Sequence, residues 1–347
     1  MEKWYVAAKK ADFDKWAKEF HISPVTARIL RNRDLTEESE IQKFLYGKLE
    51  DCYSPWLLKD MDKAVKRINR ALDDGESICI YGDYDCDGVT STALLYTFLS
   101  ALGGFVSYYI PNRATDGYGM NFKAIDKIKA DGTDLIITVD NGISSIEEAE
   151  YIYSLGMQLI VTDHHQIGEN LPRAEAVINP HREDNEIEFR DFAGVGVAFK
   201  LACALYDGDV EDLLEDYADY VTIGTIGDMV PLLNENRAIV KAGLKLINTD
   251  AKIGICALKK STNSKAEHFS ATDVAFQICP RINAAGRMDT ANLAVDLLTC
   301  EDNEIAEYKA EQLNLENTHR HEVEEKIDKD IAEIMANDRA YQTDRVI

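Results

Sequence analysis

The middle of this 347-residue chain alternates short apolar runs with helical segments, and this alternation constrains the fold more than any other feature. The apolar runs, each of a length suited to one strand, are residues 77–81, 105–110, 135–139 and 159–161. Helical spacing of apolar residues is found near 89–102, 121–131, 145–156 and 194–206. Strands separated by helices of about 10–15 residues are typical of βαβ units. The sequence therefore predicts an α/β fold with a mostly parallel sheet flanked by helices.

Helical segments are also predicted on either side of this central region. We interpret residues 1–52, which are polar and helical in spacing, as an N-terminal cap, and residues 53–300 as the main domain. From 301 to 337 one apolar stripe at steps of three and four residues predicts a single long helix. Its members are Ile305, Tyr308, Leu315, His319, Val323, Ile327, Ile331 and Ile334. Residues 345–347 look like the start of a further strand.

Composition places the chain among globular proteins. Hydrophobic residues make up 46% of it, which is enough for a sizeable core and excludes disorder as the main state. No apolar run reaches the roughly 20 residues that span a bilayer, and the first residues lack the apolar stretch of a signal peptide. The seven cysteines contain no CxxC pair. These features predict reduced thiols and a cytoplasmic location.

The charge balance is strongly acidic. With 38 Lys and Arg against 62 Asp and Glu, the net charge is −24. Such a surplus is unfavourable for contacts with nucleic-acid phosphates, which need Lys and Arg. It is compatible with divalent cations, which carboxylates attract, and for most surface acids solubility alone is a sufficient explanation.

Polar residues follow each of the four apolar runs. In open parallel sheets, ligands bind at the carboxyl ends of the strands, so these residues are expected to meet at one edge. The polar residues that follow the four runs in turn are Asp83, Asp85 and Asp87, then Arg113, then Asp140, and finally Asp163, His164 and His165. The sequence therefore predicts one functional site built from four strand ends.

The three alternating aspartates after the first run are the strongest feature of this site. In an extended segment, Asp83, Asp85 and Asp87 would all point to the same side. Packing like charges together is unfavourable unless cations neutralise them. The alternative for this segment is a solvated acidic turn, and for Asp140 taken alone it is a cap on the next helix.

The remaining candidates complete a donor set for metal ions. A neutral imidazole binds transition metals, and two adjacent histidines point different ways, so one of His164 and His165 is expected to face the same ion as Asp140. Asp228 lies among apolar residues, where a buried carboxylate needs a partner; a metal and a backbone hydrogen bond are both possible partners. Oxygen and imidazole donors without a thiolate suit Mn²⁺ or Mg²⁺, and ligands from separate strands suit a two-metal hydrolytic site.

Several segments, in this order, resemble the successive motifs of the DHH phosphoesterase superfamily. They are GDYDCDGVTS at 82–91, TVDNG at 138–142, DHH at 163–165 and GDMVP at 227–231. Three further segments narrow the resemblance to the bacterial exonucleases of this superfamily that are specific for single-stranded DNA. These are SPWLLKDM at 54–61, PNR with GYG at 111–119, and PRINAAGRM at 280–288.

This resemblance implies a role for each matching position. The implied ligands of two divalent ions, Mn²⁺ or Mg²⁺, are Asp85, Asp87, Asp140, His164 and Asp228, with Asp140 bridging the ions. The residues implied to orient these ligands or assist the attacking water are Asp83, Asp163 and His165. Arg113 and Arg287 match positions that hold a 5′-terminal phosphate, a task for which the planar guanidinium fork is well suited. Tyr81 stands where many superfamily members carry a histidine, so one ion would lack an imidazole, bind more weakly or take a water instead.

The implied function is 5′→3′ exonucleolytic hydrolysis of single-stranded DNA in repair and recombination, with repair proteins as partners. Residues 53–300 would be the DHH-type catalytic domain, and 301–347 a connector helix with the start of a truncated second domain, similar to the DHHA1 domain. The alternative within the superfamily is an oligonucleotide, cyclic-dinucleotide or phosphate-anhydride hydrolase. A non-catalytic scaffold is disfavoured by the complete ligand set. A dinucleotide-binding oxidoreductase is disfavoured because no GxGxxG follows the first run.

Overall fold

A parallel five-stranded sheet forms the centre of the computed structural model, which describes residues 9–49, 52–113, 117, 119–206, 210–287 and 291–337. The strands are β1 (Ser77–Tyr81), β2 (Phe105–Tyr109), β3 (Leu135–Val139), β4 (Gln158–Thr162) and β5 (Ala176–Ile178). They lie in the order β2-β1-β3-β4-β5, and every neighbouring pair is parallel. This confirms the α/β fold and the four predicted strands. The sequence missed β5, because three residues are too few to show a period.

Helices surround the sheet and form most of the remaining chain. They are α1 (Phe13–Glu19), α2 (Pro24–Asn32), α3 (Glu38–Tyr46), α4 (Met61–Asp74), α5 (Cys86–Ala101), α6 (Phe122–Ala130), α7 (Ile146–Ser154), α8 (Gly194–Leu205), α9 (Val210–Gly227), α10 (Asn234–Thr249), α11 (Ile253–Ser261), α12 (Ala271–Asp273), α13 (Cys279–Arg287), α14 (Ala291–Leu298) and α15 (Asn303–Asn337). A π-helical turn, Val274–Ile278, joins α12 to α13 without a break. The helices predicted between the strands are all present, with ends shifted by up to three residues.

The strands alternate between two apolar layers. In β1, Ile78 and Ile80 belong to the larger core, which also contains residues of α4, α5, α8 and α9. Cys79 and Tyr81 point the other way, into a smaller core with residues of α6 and α7. Because both faces are covered, the central strand β3 is buried along its whole length.

The strand order defines where a crevice opens in the sheet. From β1 the chain crosses to β2 on one side, and then to β3 on the other side of β1. Loops that leave β1 and β3 therefore diverge at their carboxyl ends, which is the position where open α/β sheets bind ligands. This switch point lies between the segments that carry Asp83 and Asp140.

Two regions lie outside these layers. The N-terminal helices enclose a small core of their own, with Trp16, Phe20 and Ile41 buried, while the division at residue 52 stays a prediction. The long helix α15 confirms the predicted helix, but its buried apolar residues are Ala306, Ala310 and Leu313. The predicted apolar stripe, from Ile305 to Ile334, is exposed along its whole length. The strand predicted from 345 lies outside the described residues. Within the described chain, none of the helices combines the length and the apolar character that crossing a membrane requires.

Candidate metal centre

Acidic and imidazole side chains converge at the carboxyl edge of the sheet. Asp83 and Asp85 follow β1, Asp140 follows β3, and His164 comes two residues after β4. Asp228 joins them from the residue directly after α9. The structure thus confirms the prediction that the residues following the strands meet at one edge of the sheet.

His164 lies at the centre of this convergence. Its Nε2 atom is 3.0 Å from Asp140 Oδ1 and 3.7 Å from Asp87 Oδ2. On the other side of the ring, Nδ1 is 3.8 Å from Asp228 Oδ2. A single imidazole therefore touches three of the four carboxylates that the sequence predicted as ligands.

Three overlapping triads bring one donor atom from each member within 4.8 Å of the others. They are Asp83 with Asp85 and Asp140, Asp87 with His164 and Asp228, and Asp140 with His164 and His165. The last triad corrects an expectation. The two histidine rings lie with centroids 4.5 Å apart, and both offer a nitrogen near Asp140. Adjacent residues in an irregular loop are not forced onto opposite sides as they would be in a strand.

The aspartates after β1 are held by the start of α5 rather than by an extended segment. Asp85 is the N-cap of α5, and its Oδ1 accepts hydrogen bonds from the N–H groups of Asp87 (2.9 Å) and Gly88 (3.1 Å). Asp87 itself is helical. The expectation that all three share one side of an extended chain was wrong, because the helix begins at Cys86 and turns the later side chains.

Asp87 is fixed by the start of a second helix, α8. Its two carboxylate oxygens accept from the N–H groups of Gly194 (2.6 Å) and Val195 (2.8 Å). A negative charge at a helix N-terminus is stabilised by the exposed N–H groups and the helix dipole. This support allows a carboxylate that is only 1% exposed to remain at the site.

Asp140 adopts a strained backbone conformation, and its Oδ1 atom does not act as a helix cap. Its φ angle is +61°, in the left-handed region that few residues other than glycine, asparagine and aspartate tolerate. The side chain is buried, and its Oδ1 has no hydrogen-bond partner within the described chain. Strain of this kind persists where the surroundings require it, and is common at functional sites.

Asp163 differs from the other acids because its oxygens are fully used. Oδ1 accepts from the N–H groups of His164 (2.7 Å) and His165 (3.1 Å) and lies 2.7 Å from His165 Nδ1. Oδ2 accepts from the Ile143 N–H at 2.9 Å. Asp163 therefore shapes the loop and orients the His165 ring. The second ring nitrogen of His165 is then directed toward the site.

The electrostatics of the metal-free centre show that the charges are crowded. Burial, and then the neighbouring Asp85 charge, raises the pKa of Asp83 to about 7 and that of Asp228 to about 6. Burial also raises the pKa of Asp87 and Asp140 well above the usual value, with other carboxylates adding to the shift. Carboxylates packed this closely without a cation favour protonation.

The histidines respond in opposite ways. Burial, with a further contribution from His165, lowers the pKa of His164 to about 4, so its ring is neutral near pH 7. The hydrogen bond with Asp163 raises the pKa of His165. A neutral imidazole is the form that binds a metal, whereas a charged one donates protons.

These residues fit a divalent cation. Asp83 Oδ1, Asp140 Oδ1 and His164 Nε2 are buried and make no hydrogen bond within the described chain, although the last two atoms lie 3.0 Å apart. Buried polar atoms are nearly always partnered, so these donors are suited to a ligand that accepts lone pairs. Oxygen atoms with imidazole, and no thiolate, suit Mn²⁺ or Mg²⁺. The Cys86 thiol is directed elsewhere, with Sγ 3.8 Å from the Ile223 carbonyl oxygen.

Tyr81 takes no part in this centre. It is fully buried, and its hydroxyl donates a hydrogen bond to the Gly119 carbonyl at 3.0 Å. The side chain lies in the smaller core, on the opposite face of the sheet from Ile80. Tyr81 therefore anchors the loop after β2.

The two predicted phosphate-binding arginines are only partly described. Arg113 is exposed, and its guanidinium carbon lies 5.3 Å from the ring centroid of Tyr84, between Asp83 and Asp85 in sequence. Arg287 ends α13, but its side chain lies outside the described residues, as does Tyr118 of the GYG segment. Arg113 is thus placed at the rim of the acidic cluster, and the position of the Arg287 guanidinium stays a prediction.

Sequence reasoning missed the glycines that let the helices approach the acids. A Cβ atom on Gly224 would lie 2.9 Å from Asp87 Oδ1, and one on Gly194 would lie 2.6 Å from the Asp140 Cβ. The only signal in the sequence was the glycine pair that begins α8, and it is not distinctive.

Comparisons with known proteins show which family the chain resembles in sequence and fold. The model of the DHH family, N-terminal domain, matches residues 77–225, which include the sheet and most of the acids. The single-stranded-DNA-specific exonuclease RecJ of Bacillus subtilis is 40% identical over 329 residues, covering 95% of this chain and 41% of that protein.

Solved structures give the same result. An exonuclease RecJ bound to manganese superposes with a TM-score of 0.71 at 36% identity, covering 80% of this chain and 70% of that one. RecJ of Thermus thermophilus in complex with Mn²⁺ superposes with a TM-score of 0.77 at 31% identity. The match covers 94% of this chain and 46% of that one. This chain spans about half the length of the Bacillus and Thermus proteins. By sequence and fold, the chain belongs to the RecJ family of DHH proteins.

Proposed function

We propose that this chain is a divalent-metal-dependent exonuclease that hydrolyses single-stranded DNA from the 5′ end. The observation that carries the proposal is a set of buried donors in linked triads: Asp83 lies in one triad with Asp140, and Asp140 lies in another with His164. RecJ relatives are named as exonucleases specific for single-stranded DNA, and two of the matching structures are RecJ with manganese.

The side chains that would hold two cations are Asp85, Asp87, Asp140, His164 and Asp228. Asp140 is suited to a shared position, because it belongs to one triad with Asp83 and Asp85 and to another with the histidines. When bound, such cations acidify a water molecule and offset the charge that develops on the phosphoryl oxygens.

The chain's own residues prepare the site and handle protons. Asp163 holds His165 by its Nδ1 atom, and the raised pKa of His165 favours the charged ring. The His165 side chain is 44% exposed and lies in one triad with Asp140 and His164, so it borders both the acids and solvent. We assign it the transfer of a proton to the leaving oxygen. To Asp83, which lies in one triad with Asp85 and Asp140, we assign the proton of the attacking water.

Recognition of the substrate end falls to residues at the rim. Arg113 is exposed above Tyr84, and a guanidinium binds a terminal phosphate through two parallel hydrogen bonds. Arg287 on α13 is proposed for the same task. The net charge of −24 gives the chain a weak hold on a long polyanion, so we expect low processivity.

The wider role follows the RecJ relatives. A part in repair and recombination, repair proteins as partners and a cytoplasmic location are proposals that the family supports. The division into a cap at 1–52, a catalytic domain at 53–300 and a connector from 301 is proposed with them.

A nuclease assay tests this function directly. Single- and double-stranded DNA, labelled at the 5′ end, is incubated with the protein and Mn²⁺, Mg²⁺ or a chelator. We expect mononucleotides from the single strand with either cation, and no product with the chelator. Cleavage confined to short oligonucleotides or cyclic dinucleotides would favour the alternative phosphodiesterase, and no cleavage of any phosphodiester would reject both functions.

A further inference from the structure

Helix α13 contacts the loop that carries the first metal-binding acids. The Asn283 Oδ1 atom accepts a hydrogen bond of 2.7 Å from the N–H group of Cys86, the first residue of α5. Cys86 lies between Asp85 and Asp87 in sequence, and only 2% of its surface is exposed. The two acids are therefore connected through one backbone amide to a side chain from a distant part of the chain.

This hydrogen bond completes the cap of α5. The first turn of a helix has N–H groups without partners inside the helix. Asp85 Oδ1 accepts from two of them, those of Asp87 and Gly88, and Asn283 accepts from the third, that of Cys86. Since all three N–H groups have an acceptor in Asp85 Oδ1 or Asn283 Oδ1, Asp85 keeps its second carboxylate oxygen available for a cation.

The rest of α13 shows that the contact is a built feature. A Cβ atom on Gly286 would lie 2.2 Å from the carbonyl oxygen of Tyr84, so only glycine permits this approach. Asn283 and Gly286 are three residues apart and share one helix face. The π-helical turn Val274–Ile278 adds one residue just before α13, which rotates everything after it by about 100°. The rotation sets which face of α13 meets the loop.

We infer that Asn283 is a positioning residue for the metal centre: its hydrogen bond to Cys86 holds Asp85 and Asp87 in the orientation that binds a divalent cation. Without this acceptor, the buried Cys86 N–H competes for the Asp85 carboxylate. That carboxylate then turns away from the cation. The inference rests on the metal site proposed above.

Binding of Mn²⁺, measured by calorimetry and by the electron paramagnetic resonance signal of the free ion, tests this role without an activity assay. We expect Asn283→Ala to weaken Mn²⁺ binding at least about tenfold, as is usual when a residue that orients metal ligands is lost. Asn283→Asp keeps an acceptor oxygen at the same place, so its binding is expected to stay close to wild type. Asn283→Gln, which displaces the acceptor, replaces the alanine variant if that variant does not fold.

A neighbouring substitution serves as control. Ile282 is fully buried on the same helix, and Ile282→Val lowers packing without removing a hydrogen bond to the loop. It is expected to lower the melting temperature and leave Mn²⁺ binding unchanged. If the wild type binds no Mn²⁺, the metal centre itself is wrong. If the wild type binds but Asn283→Ala binds equally well, or Asn283→Asp is as weak as Asn283→Ala, only the role of Asn283 is rejected.

Discussion

Gly194 is packed against Asp140 so closely that a Cβ atom on the glycine would lie 2.6 Å from the Asp140 Cβ and 2.9 Å from its Oδ1. The N–H group of the same glycine donates a 2.6 Å hydrogen bond to Asp87 Oδ2. One residue without a side chain thus sets the spacing of an acid in α5 and an acid that follows β3, and the start of α8 acts as a template for the metal centre.

The Gly194→Ala variant is expected to bind Mn²⁺ more weakly and to melt at a lower temperature. The added methyl group must displace Asp140 or α8, and overpacking of this kind costs about 1–3 kcal/mol. Thermal unfolding with and without Mn²⁺ measures both effects. Gly168→Ala is the matched control, because no atom lies within 4 Å of its Cβ position and its φ is not in the left-handed region. Equal behaviour of the two variants would contradict the template role.

A suitable replacement of Asp140 removes its charge without changing its strained backbone conformation. Asn tolerates the left-handed φ of +61°, whereas Ala adds strain, so Asp140→Asn is the informative change. We expect loss of hydrolysis, together with a melting temperature of the metal-free protein that is unchanged or higher, because one crowded charge is removed. Stabilisation by Mn²⁺ should shrink, since the stability that a ligand adds rises with the logarithm of its affinity. Full activity of this variant would exclude a shared ligand at this position.

The central sheet and most of the site were predictable from the sequence because both depend on local patterns. Apolar runs fix β1 to β4, and the rule that ligands bind at carboxyl ends brings Asp83, Asp140 and His164 to one edge. What this reasoning could not give is the local geometry. The extended arrangement of Asp83, Asp85 and Asp87 was wrong because α5 begins at Cys86, and the position of a helix start depends on which acceptors, such as Asn283, reach it.

The sequence also does not show which helices, distant along the chain, pack against the acids. Gly194 and Gly224 are ordinary glycines in a sequence, and their importance comes from the helices that the fold packs against Asp140 and Asp87. The role of Tyr81 likewise depends on the side of the sheet to which it points. Alternation within β1 places it in the smaller core, but only the position of Gly119 shows what its hydroxyl binds.

The stability of the metal-free protein is expected to rise as the pH falls from 8 to 6. The folded-state pKa values of Asp83 (about 7) and Asp228 (about 6) lie above the usual value, so these carboxyls bind more protons in the folded chain than in the unfolded chain. His164, with a pKa of about 4, opposes this effect, and the raised pKa of His165 offsets His164. The stabilisation by the two carboxyls is complete below the unfolded pKa and is lost as the pH rises through 6 and 7. Melting curves should show a gain of about 2–4 °C or more at pH 6.

Two further sets of melting curves, measured over the same pH range, test which groups cause this pH dependence. Asp83→Asn combined with Asp228→Asn should reduce the slope, since two of the groups with a raised pKa are gone while Asp87, Asp140 and His165 remain. Saturating Mn²⁺ should reverse the slope, because cations bind the ionised carboxylates and compete with protons. A slope that the double substitution leaves unchanged would exclude Asp83 and Asp228 as its source.

A buried ion pair away from the acidic cluster gives a prediction about stability alone. Lys200 of α8 lies 2.7 Å from Glu235 of α10, both are 3% exposed, and Lys200 Nζ also donates to the Tyr53 carbonyl at 2.5 Å. Lys200→Met leaves a buried carboxylate without its cation, which costs about 3–5 kcal/mol. Urea denaturation of this variant should show that loss. The double variant with Glu235→Leu should recover much of it, and a double variant no more stable than the single one would argue against the charge as the cause.

Discrimination between 5′ ends tests the rim of the site. Arg113→Ala is expected to lower the preference for a 5′-phosphorylated over a 5′-hydroxyl oligonucleotide about tenfold or more, because a hydrogen bond to a charged group contributes roughly 1.5–3 kcal/mol. Cleavage of the 5′-hydroxyl substrate and the affinity for Mn²⁺ should stay unchanged, since Arg113 belongs to none of the donor triads.

The chain contains a matched control for this arginine. Arg173 is also half exposed or more and lies over a tyrosine ring, with 4.0 Å to the centroid of Tyr153, but it pairs with Glu150 on another surface. Arg173→Ala should therefore leave the ratio of the two cleavage rates as in the wild type, and Arg287→Ala should lower it as Arg113→Ala does. If Arg113→Ala and Arg173→Ala give the same ratio, Arg113 is a surface residue without a part in end recognition, and the preference for a 5′ phosphate must depend on α13.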